Sequence, residues 1–145
     1  MKKRLIYIIV SFLSLASCIS PKRTEVTSPD GHIRLVLTLD DNGRIAYQVN
    51  IGDTLFIKPS MLGLEANGGV NLSGNFHVVD TDFTTQDETW TQPWGENKTI
   101  RNHYNEMAVH LSDTAKTKLT LRFRIFDDGL GFRYEYEVPG ADSIL

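Results

Sequence analysis

From Ile33 onward apolar and polar residues alternate, the period that gives a strand one buried face and one wet face. Ile33, Leu35, Leu37 and Leu39 fall on one side, with His32, Arg34 and Thr38 on the other. Asp40-Asp41-Asn42-Gly43 then supplies a turn, because Asn and Gly accept positive φ, and Ile45, Tyr47, Val49 and Ile51 resume the alternation. The pattern predicts a hairpin. A second turn at Gly52-Asp53 leads into a short strand, Leu55-Phe56-Ile57, expected to stop at Pro59, since proline cannot donate to a ladder.

The middle of the chain is less regular. Met61, Leu62 and Leu64 make a short apolar patch, Asn67 to Gly74 reads as a loop, Phe76 to Phe83 as a strand, and Met107 to Leu111 as another. Leu119, Leu121, Phe123 and Ile125 share one face, with Thr120, Arg122 and Arg124 opposite. After Asp127-Asp128-Gly129 a return strand puts Phe132, Tyr134, Tyr136 and Val138 inward and Arg133, Glu135 and Glu137 outward. Opposed charges across an antiparallel pair are the ordinary way to solvate a sheet face. No stretch past the first eighteen residues has helical period, so the expected class is all-β, an antiparallel β-sandwich.

Those first eighteen residues read as an export leader. Lys2, Lys3 and Arg4 precede an apolar run from Leu5 to Leu15, which is shorter than the roughly 20 residues that span a bilayer. Leu15-Ala16-Ser17-Cys18 fits a bacterial lipobox, and Cys18 is the sole cysteine of the 145 residues. Acylation there would anchor the chain to a membrane through about two or more acyl chains, with residues 19–27 as tether. The expected location is the bacterial cell envelope, facing the periplasm.

Without the leader's three cations, twelve basic residues face eighteen acidic ones. This balance argues against nucleic acid as a partner, whose phosphates call for Lys and Arg. With Cys18 acylated, no thiol is left for a disulfide or a zinc-thiolate site. No Gly-x-Ser-x-Gly, no His-Glu-x-x-His and no phosphate-cradling loop occurs, and His32, His77, His103 and His110 are scattered.

One segment breaks the strand pattern: Asp87 to Glu96, with Trp90 and Trp94, followed by Ile100 to Glu106. The ordinary expectation is that both tryptophans fill the core and that Glu96 pairs with Arg101. The rival is a sugar site, with a pyranose stacked on Trp94 and its hydroxyls bonded to Glu96, Arg101 and Asn102.

Several blocks, in order, resemble the N-terminal domain of glycoside hydrolase family 97: Ser28-Pro29-Asp30-Gly31, Pro59 to Glu65, Asp87-Glu88-Thr89-Trp90 to Trp94-Gly95-Glu96, Ile100 to Glu106, and Phe123 to Glu135. They are most similar to the α-glucosidase branch tied to bacterial starch utilisation. The resemblance implies a β-supersandwich like that of galactose mutarotase over residues 28–145, here cut short, to be followed by a (β/α)8 barrel and a small C-terminal β-sandwich. It implies hydrolysis of α-glucosides or α-galactosides in α-linked oligosaccharides, with calcium at the active site. In the family the acid and base carboxylates and the calcium ligands belong to later parts of the chain, so no catalytic or metal-binding residue carries over to a position here. The strand that Gly140 to Leu145 begins reads as unfinished. Three roles follow: the non-catalytic front of an envelope-anchored α-glycosidase, a free-standing glycan-binding lipoprotein, or a gene fragment without function.

Overall fold

The computed structural model describes residues 24–66 and 70–137. The leader, Cys18, most of the tether, the loop residues 67–69 and the segment from Val138 onward lie outside the described residues.

Ten strands make up the described residues: β1 Glu25–Thr27, β2 Ile33–Leu39, β3 Ile45–Ile51, β4 Thr54–Leu62, β5 Glu65–Ala66, β6 Val70–Asn71, β7 His77–Thr91, β8 Thr99–Ser112, β9 Lys118–Ile125 and β10 Leu130–Glu137. They form one antiparallel sheet in the order β1-β2-β3-β4, a second in the order β10-β9-β8-β7, and the small pair β5-β6. The expected all-β sandwich is present.

The β2–β3 hairpin forms as the alternation predicts, from Ile33 opposite Ile51 to Leu39 opposite Ile45. Its turn is held by the Asp40 carboxylate, whose Oδ1 accepts the N–H groups of Asn42 and Arg44, both at 2.9 Å. Gly43 takes the left-handed conformation there, φ 65°, where a side chain would collide with the carbonyl.

Two expectations about strand length need correction. β4 does not end before Pro59 but runs on to Leu62. The register shows why: Tyr47 faces Ser60 and Val49 faces Ile57, so Lys58 and Pro59 together oppose Gln48. Proline thus sits in a bulge on an edge strand, where no ladder donor is missed. The short strands read at Phe76–Phe83 and Met107–Leu111 are parts of much longer ones, paired from His77 opposite Ser112 to Thr91 opposite Thr99. Their outer halves are polar because neither face there meets the core, so the apolar alternation that marks a strand is missing.

The core lies between the two sheets. Leu35, Leu37 and Ile45 enter from the first; Met107, Val109, Leu119, Leu121, Phe123 and Ile125 from the second, all fully buried. Each such side chain contributes about 1.5–3 kcal/mol through loss of water contact. Phe76, near the start of β7, and Leu72 join the same cluster from the connecting segment. Tyr134 and Tyr136 pack against it as expected, but Phe132 is 41% exposed. β10 is the edge of its sheet, so Phe132 covers the margin of the core, stacked on Phe123 at 5.6 Å and near Tyr47 at 6.0 Å. At one end the sheets are tied by polar contacts: Asn105 Nδ2 donates to the Thr27 carbonyl at 3.0 Å, and the Asp30 N–H to Asp127 Oδ1 at 2.9 Å.

Candidate functional site

β9 accompanies β8 only from Asn105, opposite Ile125, to Ser112. Beyond that point β7 and β8 continue as a bare two-stranded ribbon of six pairs, from Gln86 opposite Tyr104 to Thr91 opposite Thr99. At roughly 3.4 Å per residue the ribbon reaches about 20 Å past the sheet. The tip is closed by Gln92, whose N–H bonds to the Lys98 carbonyl and whose Nε2 bonds to the Asn97 carbonyl, both at 3.0 Å. Gly95, at φ 104°, makes the bend between them.

Side chains alternate between the two ribbon faces. One face carries Gln86, Glu88 and Trp90 opposite Tyr104, Asn102 and Ile100; the other carries Asp87 and Thr89 opposite His103 and Arg101. Arg101 grips Asp87 with a two-pronged contact, Nε to Oδ1 and Nη2 to Oδ2, both 2.8 Å. That contact holds the Asp87 carboxyl below the usual carboxylate range and raises the guanidinium in turn. On the other face Asn102 Nδ2 donates to Glu88 Oε1 at 2.8 Å.

The expectation that the tryptophans fill the core is overturned: Trp90 is 45% exposed on the ribbon and Trp94 82% exposed at its tip. The ribbon has no core to offer them. The expected Glu96–Arg101 pair is replaced by Asp87–Arg101, with Glu96 exposed at the tip. Of the four residues named for a sugar site, Trp94 and Glu96 stand at the tip, whereas the adjacent Arg101 and Asn102 point to opposite faces. The fold does not bring the four around one point.

A second constellation went unread in the sequence. On the outer side of the second sheet Glu106, its side chain 9% exposed, accepts Arg122 Nη1 at 2.6 Å and Arg124 Nε at 2.7 Å. Arg122 also spans to Glu135 through Nε and Nη2, at 2.8 and 3.1 Å, and Arg133 reaches the same carboxylate at 2.7 Å. Arg124 lies over the Tyr104 ring, 4.6 Å from its centroid. The face read as simply solvated is therefore an ionic lattice that buries one carboxylate. The available signal was Glu106 within the Tyr104-x-Glu106-x-Ala108 alternation, flanked by small and aromatic neighbours. Beside the lattice is an open recess of about 210 Å³ lined by Arg122, Arg124, Phe126, Gly131, Phe132 and Arg133.

These groups can bind and orient but hold little that could react. His110 bonds through its two ring nitrogens to Thr120 Oγ1 and Asp82 Oδ2, each at 2.9 Å, a rung across three strands on an open sheet face. Among the described residues no three His, Cys, Asp or Glu side chains gather as metal ligands, and no helix is long and apolar enough to cross a membrane.

Residues 26–144 match the family described as Glycosyl-hydrolase 97 N-terminal. The chain is 24% identical over 132 residues to the retaining alpha-galactosidase of Bacteroides thetaiotaomicron, a match covering 91% of this chain and 19% of that enzyme. A glycoside hydrolase family 97 enzyme from Pseudoalteromonas sp. strain K8, solved in complex with acarbose, superposes with a TM-score of 0.74 at 30% identity, over 80% of this chain and 18% of that one. The same enzyme has been solved with panose. A beta-arabinopyranosidase shares the fold, with a TM-score of 0.69 at 24% identity over 76% of this chain and 17% of its own. The chain thus spans less than a fifth of the length of each of these relatives. With the family matched across nearly the whole sequence and the sandwich superposing on its solved members, the chain belongs to the N-terminal domains of glycoside hydrolase family 97.

Proposed function

We propose that this chain is the non-catalytic N-terminal part of an envelope-anchored α-glycosidase, packed on a catalytic barrel whose carbohydrate pocket it helps to shape. The observation that carries this is the match to the N-terminal domain alone, with relatives that are glycosidases some five times longer. An α-glucoside is the favoured substrate class, since the Pseudoalteromonas enzyme at 30% identity is solved with panose and acarbose. An α-galactoside is the second, from the Bacteroides relative. Phe56, Met61 and Leu55, exposed on the edge strand β4, give a neighbouring domain apolar surface to cover.

The reacting groups belong downstream. Glycoside hydrolysis needs two positioned carboxylates, and the one buried carboxylate among the described residues, Glu106, is engaged by two guanidiniums. Calcium, which the family resemblance implies, would likewise be held by residues downstream in this reading. Cys18 supplies the lipid anchor and the residues between it and β1 the tether, which is shorter than the 19–27 expected because Glu25–Thr27 pair with β2 and Val26 is buried in the core.

The test is hydrolysis of aryl α-glucosides and α-galactosides. The polypeptide in which this chain runs on into its barrel is expected to cleave one of them, and purified residues 19–145 neither. Turnover by the short piece would overturn the non-catalytic role, and an inactive long polypeptide the glycosidase itself. Labelling with radioactive palmitate, lost in Cys18→Ser, checks the anchor.

A further inference from the structure

The ribbon poses a physical problem, because an isolated two-stranded hairpin is marginal in water. Among the described residues no third strand joins its six pairs, and Tyr104 at the base packs on Arg124 and Phe126. It nevertheless carries the chain's two tryptophans, Trp90 opposite Ile100 on one face and Trp94 at the tip, both well exposed.

The polar groups beside the rings are already satisfied. Glu88 bonds to Asn102 on the Trp90 face, and Asp87 to Arg101 on the other. A pyranose stacked on Trp90 would find those donors and acceptors occupied by each other. An aromatic centre rimmed by self-paired polar residues is instead the make-up of a protein interface. The relatives carry more than four-fifths of their length outside the part this chain matches, and the ribbon leads away from the sandwich.

We propose that the β7–β8 ribbon is a docking arm that lays Trp90, Ile100 and Trp94 against the downstream catalytic part of the same polypeptide and so fixes the sandwich beside it. This rests on the function proposed above. The arm's own residues touch no substrate; they act as positioning residues for the pocket.

Hydroxyl-radical footprinting read by mass spectrometry tests it, since oxidation of the peptide holding Trp90 and Trp94 is followed residue by residue whatever other tryptophans the longer polypeptide has. Oxidation at both is expected to be about tenfold slower in the long polypeptide than in this chain by itself. Equal rates would overturn the arm, as would protection of this chain by maltotriose alone, which would make the ribbon a glycan platform. Hydrolysis by the same preparation is scored separately. Turnover with unprotected tryptophans sinks the arm and spares the glycosidase, whereas protection without turnover does the reverse. As a folding control, Trp90→Ala with Trp94→Ala leaves the melting temperature of this chain unchanged while lowering that of the long polypeptide. No such difference between the two would count against the arm.

Discussion

Glu106 accepts hydrogen bonds from two guanidiniums at once, Arg122 at 2.6 Å and Arg124 at 2.7 Å, with its side chain 9% exposed. Removing that charge leaves two cations facing a neutral amide in a half-buried setting, and breaking a buried pair is costly because the remaining charge stays desolvated. Because both guanidiniums keep some solvent contact, Glu106→Gln is expected to lower stability by about 2 kcal/mol, seen in urea as a lower midpoint with an unchanged slope. Glu137→Gln, which breaks the exposed contact with Lys118, should leave the midpoint where it is.

Acid should unfold the chain through the same lattice. Hydrogen bonds from Arg122 take the Glu135 carboxyl from 4.5 down to about 2, with burial opposing and Arg133 assisting. At Glu106 burial pushes upward, but the bonds from Arg124 and Arg122 outweigh it and the net direction is down. A depressed native value means that the unfolded chain binds more protons as the solution is acidified. The stabilisation is therefore complete above pH 4.5 and is lost as the pH falls from 4.5 towards about 2. Thermal melts across that window should show a falling melting temperature in the native chain and a flatter profile in Glu135→Gln. Parallel profiles would show that the lattice does not carry the acid sensitivity.

Gly43 and Gly31 both lie at positive φ, 65° and 76°, yet they should respond differently to alanine. At Gly43 an added Cβ would overlap the backbone nitrogen and oxygen of Phe76, whereas at Gly31 it would meet open space. Gly31→Ala is expected to cost about 1 kcal/mol, the penalty of the left-handed conformation. Gly43→Ala should cost clearly more, because the β2–β3 turn must shift away from the segment that delivers Phe76 to the core. Side-by-side melts of the two variants read the difference.

Phe123 is fully buried between the sheets and stacked on Phe132. Phe123→Ala should cost about 3–5 kcal/mol from lost transfer energy and the cavity left behind. Unfolding in guanidinium measures it, and a loss below 1 kcal/mol would mean that the sheets close over the gap.

The inner half of the fold was legible and the outer half was not. Leu35, Leu37, Leu119, Leu121 and Phe123 alternate with polar partners because each belongs to a strand with one dry face, and the structure buries them as read. The ribbon was illegible for the complementary reason: past Tyr104, which is buried at its base, no ribbon side chain from Asp87 to Asn102 is buried, so nothing in the order of residues distinguishes strand from loop. Pro59 misled because its effect depends on whether β4 is an edge, which is a property of the sheet and not of the local sequence. The tryptophans misled in the same way, since the size of a ring says how much it would gain from burial but not whether a core is within reach. The alternation around Glu106 hinted at a covered carboxylate, but its partners Arg122 and Arg124 come from the neighbouring strand and are fixed by register alone.

In both sheets neighbouring strands are also consecutive along the chain, β1 to β4 in one and β7 to β10 in the other. Each ladder therefore closes through short turns, at small entropic cost, and can zip as the residues leave the ribosome. The two sheets meet only later. During synthesis the first sheet is complete while Leu35, Leu37 and Ile45 still face water, and they stay uncovered until β9 has delivered Leu121 and Phe123. That interval is when the nascent protein is most exposed to aggregation and most in need of a chaperone.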